Sequence, residues 1–369
     1  MGSSSVGIGN VSRSNGLVEM AMSYSRSRII CAAARLGIAD ALGSSERSVE
    51  EIAAICKADP GSLYRLLRAL ASIGVTSETS PRRFVLTPFG EPLQKSWPNS
   101  AWPGVIFWAD LLADQWAYLS ECVRTGQRAF KVMESQGIQP LWAREPDASA
   151  IFRAVMGTAP AEHYMPIVNK WDFTGHRVVA DLGGGGGALI AAVLTSYPNI
   201  EGMLVDLPAS IDAARPRFES GALAARCKLI AADLVEAVPP GADVYMLKHF
   251  LHGRDDDSAV GILKNCRQVM PADGRLLVIE FVLPDVVSAA DPLVELHLMS
   301  DLNMMTVTGG KERSGPEWAS LLDRSGFQLM RIIPVPSESD AGPRTSDRPA
   351  PARSASAGQT VSIVEAHPV

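Results

Sequence analysis

No run of eighteen apolar residues occurs in the chain, so no segment is expected to cross a bilayer as a helix. Basic residues are not in excess either. The 34 Lys and Arg stand against 40 Asp and Glu, a net charge of −6. With that balance, no basic face large enough to hold a nucleic-acid backbone is expected. Cysteine is scarce and scattered: Cys31, Cys56, Cys122, Cys227 and Cys266 form no CxxC pair. An odd set of this kind suits a reducing cytoplasm better than a disulfide framework or a zinc ribbon. The opening "MGSSSVGIGNVSRSNG" lacks the apolar core of a signal peptide. Val6 also stands where a myristoylation signal needs Ser or Thr. Residues 1–16 are therefore expected to be a disordered leader.

What is present reads as globular. Hydrophobic residues make up 47% and charged residues 20% of 369, enough for two domains at roughly 150 residues each. Residues 17–42 carry apolar residues at helical spacing, with Gly37 and Gly43 as breaks. Ser48 with Glu51 forms a capping box, and Asp59 before Pro60 is an N-cap and N1 pair for a helix that Gly74 ends. "VTSETSPRRFVLT" reads as a hairpin turning near Pro81. Together these predict a winged helix-turn-helix over residues 17–100. Such a fold reads DNA when its second helix presents basic residues to phosphates. Here that helix offers Arg65 and Arg68 among leucines and alanines, a surface that suits burial against a second copy of the chain. A homodimer is expected.

Residues 101–170 are expected to be a helical connection. From Arg177 onward, apolar strands alternate with helices: "RVVADL", "GMLVDL", "CKLIAA", "DVYML" and "RLLVIEFVL" are the strands. This alternation predicts a doubly wound parallel sheet over residues 171–369. "FQLMRIIPV" and "TVSIVEA" would close it. Between them, the Ser-, Pro-, Ala- and Arg-rich segment 337–358 has the composition of a disordered insertion.

Chemistry gathers at the strand ends. "VVADLGGGGGALIAA" joins a strand to a helix through Gly183–Gly187, where glycines let the backbone approach a ligand at a helix N-terminus. Asp206 ends the next strand, where a carboxylate can take both hydroxyls of a ribose. Asp233 follows the third, in reach of an adenine amino group. Aspartates also cap helices after strands, but two of them beside a glycine turn favour a nucleoside pocket. In "LKHFLHGRDDD", His249 and His252 sit three apart with no Cys or HExxH nearby. A metal pair on a helix more often spaces its histidines by four and has a third ligand nearby, so no metal is expected. Asp255–Asp257 are expected to begin the next helix, where negative charge suits the dipole.

In the order "DLGGGGGALI", "LVDLP", "AADL", "LKHFLH", "IEFVLP" and "GGKERS", the chain resembles the S-adenosylmethionine-dependent small-molecule O-methyltransferases. These are the plant caffeate and hydroxyindole type and the bacterial secondary-metabolite type. The likeness runs from about residue 17 to the C-terminus, apart from the insertion. It implies a Rossmann-like methyltransferase domain behind a winged-helix dimerisation domain, with acceptor-pocket helices in 101–170. It further implies that Asp181, Gly183, Gly184, Gly185 and Gly187 line the cofactor, with Asp206 and Leu207 at the ribose. Asp233 and Leu234 would meet the adenine, and Lys248 would contribute from the next strand end. His252 would be the catalytic base, flanked by Glu280 and Glu312, while Met156, Asn303 and Met304 would line the acceptor pocket. His249 would be structural. Where relatives have Asp-Trp after the histidine, this chain has Gly253 and Arg254, and Arg254 is expected to stack on the adenine in place of an indole.

The expected activity is methyl transfer to a hydroxyl of an aromatic or polyketide-like small molecule in the cytoplasm. A phenol has a pKa near 10, so it attacks poorly until a base removes its proton. Histidine can do so at a typical gain of about 10²–10⁴-fold, and the two glutamates would orient and stabilise the imidazolium. Two rivals remain: non-methylating chemistry on the same scaffold, such as rearrangement, decarboxylation or hydroxylation, and a winged-helix ligand-sensing regulator. The acidic charge counts against the regulator.

Overall fold

In the computed structural model of the chain, the described residues are 16–156, 160–219, 221–287, 292–336 and 361–369. The expected insertion at 337–358, and the expected leader except Gly16, lie outside them. The chain divides into two compact units: residues up to Asp114 with Leu141–Phe152, and Gln115–Pro140 with Arg153–Val369.

In the first unit the helix Tyr24–Leu36 stops at Gly37, whose φ of 67° is left-handed, a conformation glycine adopts without steric cost. The helix Val49–Cys56 starts at a complete capping box between Ser48 and Glu51. Asp59 Oδ1 accepts the Ser62 N–H at 2.8 Å to start the helix Pro60–Ser72. Its Leu63, Leu67 and Leu70 fall on one face and are buried together with Ile38, Leu42, Ile52 and Phe84. Each such side chain contributes about 2 kcal/mol by leaving water. Strands β1 (Arg47–Ser48), β2 (Thr76–Ser80) and β3 (Arg83–Leu86) form an antiparallel sheet in the order β1-β3-β2. Arg68, one of the two basic residues on the second helix, lies 3.8 Å from Glu78.

The second unit is built on a seven-stranded sheet. Its strands are β4 (Val178–Leu182), β5 (Glu201–Asp206), β6 (Cys227–Ala231), β7 (Val244–Lys248), β8 (Arg275–Glu280), β11 (Phe327–Pro334) and β12 (Ser362–Pro368), in the order β11-β12-β8-β7-β4-β5-β6. The inner strands are apolar almost throughout because helices cover both faces. Leu182, Leu204, Val244, Leu247 and Val278 are each 0% exposed. Chain order runs β4, β5, β6 outward and then returns to place β7 on the other side of β4. The carboxyl ends of β4 and β7 therefore flank a topological switch point, where open α/β sheets bind ligands.

Two features depart from the expected parallel sheet. β12 runs antiparallel between β8 and β11, so the sheet is mixed. The run "RLLVIEFVL" is also not one strand. It leaves the sheet after Glu280, and β9 (Val282–Leu283) pairs in parallel with β10 (Arg313–Ser314). That register sets Arg313 opposite Val282 and so brings Glu312 close to Glu280.

Candidate active site

The turn after β4 is a cradle in which Gly183, Gly184 and Gly187 have no room for a side chain. Gly183, Gly185 and Gly187 have φ of 68°, 55° and 72°. A Cβ on Gly183 would lie 2.3 Å from Phe250 Cδ2, and one on Gly184 would lie 2.5 Å from Leu204 and 2.6 Å from Asp181. At Gly185 a Cβ would meet nothing within 4 Å, so this residue faces open space. Asp206 shapes the turn from β5: its Oδ2 accepts the Gly185 N–H at 2.8 Å and its Oδ1 the Leu207 N–H at 2.7 Å. Asp181 is buried beneath, with Oδ2 accepting from Ile190 N at 3.3 Å and Oδ1 without a hydrogen-bond partner. Burial pushes its carboxyl up to about 7, against the Ile190 hydrogen bond and the Lys248 charge.

Across the switch point, β7 ends at Lys248. Its ammonium lies 5.2 Å from the centre of the Tyr164 ring, and burial pulls its pKa down to about 8 despite the charges of Glu280 and Asp181. Glu280, at the end of β8, organises the next turn. One of its oxygens, Oε1, accepts the consecutive N–H groups of Phe250, Leu251 and His252 at 2.9, 3.0 and 3.3 Å. The other, Oε2, lies 3.2 Å from His249 Nδ1 and 3.7 Å from His252 Nδ1. Burial alone would raise Glu280, but the His252 charge and the His249 hydrogen bond outweigh it and hold the carboxyl near 2.

His252 Nδ1 is 2.8 Å from Glu312 Oε1. Burial disfavours the imidazolium, yet the charge of Glu280 and the hydrogen bond and charge of Glu312 leave His252 above its usual value. Burial also raises Glu312, only partly offset by His252. Three further residues hold this pair in place. Ser300 Oγ donates to Glu312 Oε1 at 2.8 Å, and Asp301 Oδ1 accepts the Glu312 N–H at 2.8 Å. Fully buried Arg313 donates to the carbonyls of Leu251 and Arg254 and to Asp256. Gly310 lets the chain pass, since a Cβ there would lie 2.0 Å from the His252 carbonyl oxygen. Sequence reasoning missed Ser300, Asp301 and Arg313; the run "GGKERS" was the one signal near them.

His249, His252 and Glu280 also bring one donor atom each within 4.8 Å of one another, a spacing that a cation could use. The Nδ1 atoms of both histidines and both oxygens of Glu280 already take part in hydrogen bonds. Asp255 N-caps the helix Asp256–Val269 by accepting from Ser258 N, as its position suggested.

The remaining expected residues are more dispersed. Asp233 Oδ1 accepts the Val235 N–H at 2.9 Å within its own turn, and Leu234 is buried with its carbonyl accepting from Asn265. Arg254 is exposed, with its guanidinium 5.5 Å from the centre of the Phe250 ring. Phe250 is the ring that closes on Gly183. Asn303 is buried and accepts from Trp116 Nε1 at 3.1 Å, one turn along the helix Pro292–Val307 from Ser300, and Met304 is half-buried beside it. Met156 ends the helix Ala148–Met156 and is exposed.

Residues 116–328 match the O-methyltransferase domain family, and residues 18–96 match the O-methyltransferase dimerisation domain. The chain is 35% identical to a phenazine O-methyltransferase of Lysobacter antibioticus over 89% of this chain and 95% of that relative. The solved structure of a mitomycin 7-O-methyltransferase is similar at a TM-score of 0.80 and 30% identity, covering 98% of this chain and 99% of that one. An O-methyltransferase from neocarzinostatin biosynthesis was solved with S-adenosylmethionine and 2-hydroxy-5-methyl naphthoic acid. It is similar at a TM-score of 0.72 and 29% identity, covering 93% of this chain and 96% of that one. Among the described residues no helix is long and apolar enough to cross a membrane.

Proposed function

We propose, since the chain belongs to the S-adenosylmethionine-dependent O-methyltransferase family, that it methylates a hydroxyl of an aromatic small molecule with His252 as general base. The observation that carries this reading is the 2.8 Å contact between His252 Nδ1 and Glu312 Oε1. A carboxylate at Nδ1 keeps a proton there and leaves the Nε2 lone pair to accept one from a substrate. Glu280 adds a buried negative charge 3.7 Å from the same nitrogen, which stabilises the imidazolium formed on proton transfer.

The glycine cradle fits the cofactor. Open space at Gly185 and the close packing behind Gly183 and Gly184 leave a backbone surface that a nucleoside and its methionyl arm can approach. Asp206 retains acceptor capacity beyond its two N–H bonds for ribose hydroxyls. The unpartnered Oδ1 of Asp181 is a group that the methionyl ammonium can satisfy, and Lys248 stands by with opposite charge for a carboxylate. When bound, S-adenosylmethionine would supply an electrophilic methyl group, a C–O bond to the acceptor replacing the C–S bond of the sulfonium. His252 takes the hydroxyl proton as that oxygen gains its new bond. Glu280 and Glu312 hold the ring in place, and Arg313 ties down the turn that carries it.

Incubation with labelled S-adenosylmethionine and a panel of phenols, quinols and polyketides, with mass detection of products, tests the reaction. Transfer to carbon or nitrogen only, or turnover unaffected by His252→Ala, would sink this reading.

A further inference from the structure

We infer that His249 forms a second substrate contact, a hydrogen-bond acceptor that selects aromatic acceptors with a hydroxyl or amino group adjacent to the hydroxyl being methylated. The inference rests on the proposed role of His252 for the identity of that first hydroxyl.

His249 is held where an ordinary residue would not settle. Its φ is 48°, in the left-handed region that residues other than glycine seldom adopt. Strain of this kind persists only where the surroundings impose it, and it gathers at functional sites. Here the Ile279 carbonyl accepts the His249 N–H at 3.1 Å, Glu280 Oε2 fixes Nδ1 at 3.2 Å, and the Phe281 ring lies edge-on at 5.0 Å.

The charge states decide what the ring offers. Glu280 is ionised, so its contact with Nδ1 requires the proton on that nitrogen. Burial and the neighbouring Lys248 charge pull the His249 pKa down to about 4, so the ring is neutral and its Nε2 carries a lone pair. His252 has the same polarity, with Nδ1 turned to Glu312. Both Nδ1 atoms approach the same oxygen of Glu280, and the rings lie 5.3 Å and 30° apart. Their Nε2 edges therefore lie on the side away from that carboxylate. Neither Nε2 has a hydrogen-bond partner among the described residues, and neither is sealed from solvent.

Two imidazoles with centres 5.3 Å apart and a 30° tilt between them offer two Nε2 lone pairs to two donors on one ligand. His252, the stronger base, takes the proton that leaves. His249 is too weak a base to take one and only holds its donor. Donors on neighbouring ring carbons diverge, and hydrogen bonds of about 2.8 Å each carry them to acceptors separated on the scale of the two rings. Donors on opposite sides of a ring cannot reach both.

The test is calorimetric titration of the S-adenosylhomocysteine-loaded protein with 2,3-dihydroxynaphthalene and with 2-naphthol. The parent is expected to favour the diol by roughly 10-fold, as one added hydrogen bond would give. In His249→Ala that preference should fall to about 2-fold or less. His249→Asn should behave alike; asparagine tolerates the left-handed backbone but is too short to reach the diol. An undiminished preference in both variants overturns the inference, as does a parent that prefers neither compound or binds neither. Binding is read without turnover, so methyl transfer by His252→Ala judges the base reading separately.

Discussion

His252 Nδ1 lies 2.8 Å from Glu312 Oε1 across a sequence separation of 60 residues. Removing the imidazole should abolish transfer without emptying the cofactor cradle, which is built from β4 and β5. His252→Ala is expected to lower kcat by at least about 100-fold, the low end for base catalysis. Calorimetry should find S-adenosylmethionine affinity within a few-fold of the parent. Loss of both together would place His252 in the cofactor site instead.

The pH dependence follows from the same contact. As the proposed base, His252 would act only when neutral, and its pKa lies above the ordinary 6.5, so kcat should rise with pH along a limb centred above that value. Ser300 favours the ionised form of Glu312 by donating to it. In Ser300→Ala, Glu312 should hold its proton more readily and support the imidazolium less. The limb should then move to lower pH and the plateau should fall, whereas Ser300→Thr should restore the parent profile. A pH–rate series on the three proteins reads this directly, and coincident limbs would remove Ser300 from the pair.

Glu280 is as much a structural anchor as an electrostatic one. Its carboxylate accepts three consecutive N–H groups, so Glu280→Ala should destabilise the second unit by about 3 kcal/mol or more, seen as a lower melting temperature. With the folded pKa near 2 against 4.5 in the unfolded chain, the ionised group's stabilisation is fully present above 4.5. It is lost as pH falls through about 2. Acid unfolding of the parent should therefore carry a component in this window that Glu280→Gln lacks.

Phe250 links Arg254 to the glycine cradle, with the guanidinium over one side of the ring and Gly183 against it. Gly183→Ala combines a left-handed backbone with a 2.3 Å clash. It should cost about 1–3 kcal/mol more than Gly185→Ala, whose Cβ has open space. Arg254→Ala should weaken S-adenosylmethionine binding by roughly 0.5–2 kcal/mol, whether the guanidinium covers adenine itself or steadies Phe250. Unchanged affinity by calorimetry would leave Arg254 a solvent-facing residue.

Residues 18–96 match a dimerisation domain. Light scattering should report about twice the 39.4 kDa chain mass; a monomer at micromolar concentration would reject the homodimer.

Local physics made much of this molecule legible in the sequence. The Ser48–Glu51 capping box, the Asp59–Pro60 start and the Pro81 turn are written within a few residues, because they satisfy backbone groups of the same turn. The glycine run and the strand–helix alternation are equally local, being matters of steric room and period. They determined the mixed composition of the fold, the cradle after β4 and the residue types able to bind a nucleoside or move a proton. Tertiary structure decided which of those residues meet. Nothing in "RLLVIEFVL" tells that the strand leaves the sheet after Glu280, and only the pairing of β9 with β10 carries Glu312 beside it. The antiparallel entry of β12, the placement of Ser300 on Glu312, the seat of Arg254 on Phe250 and the left-handed His249 have the same origin. Each depends on tertiary packing around the residues concerned, where its free energy selects one arrangement among many that the local pattern allows.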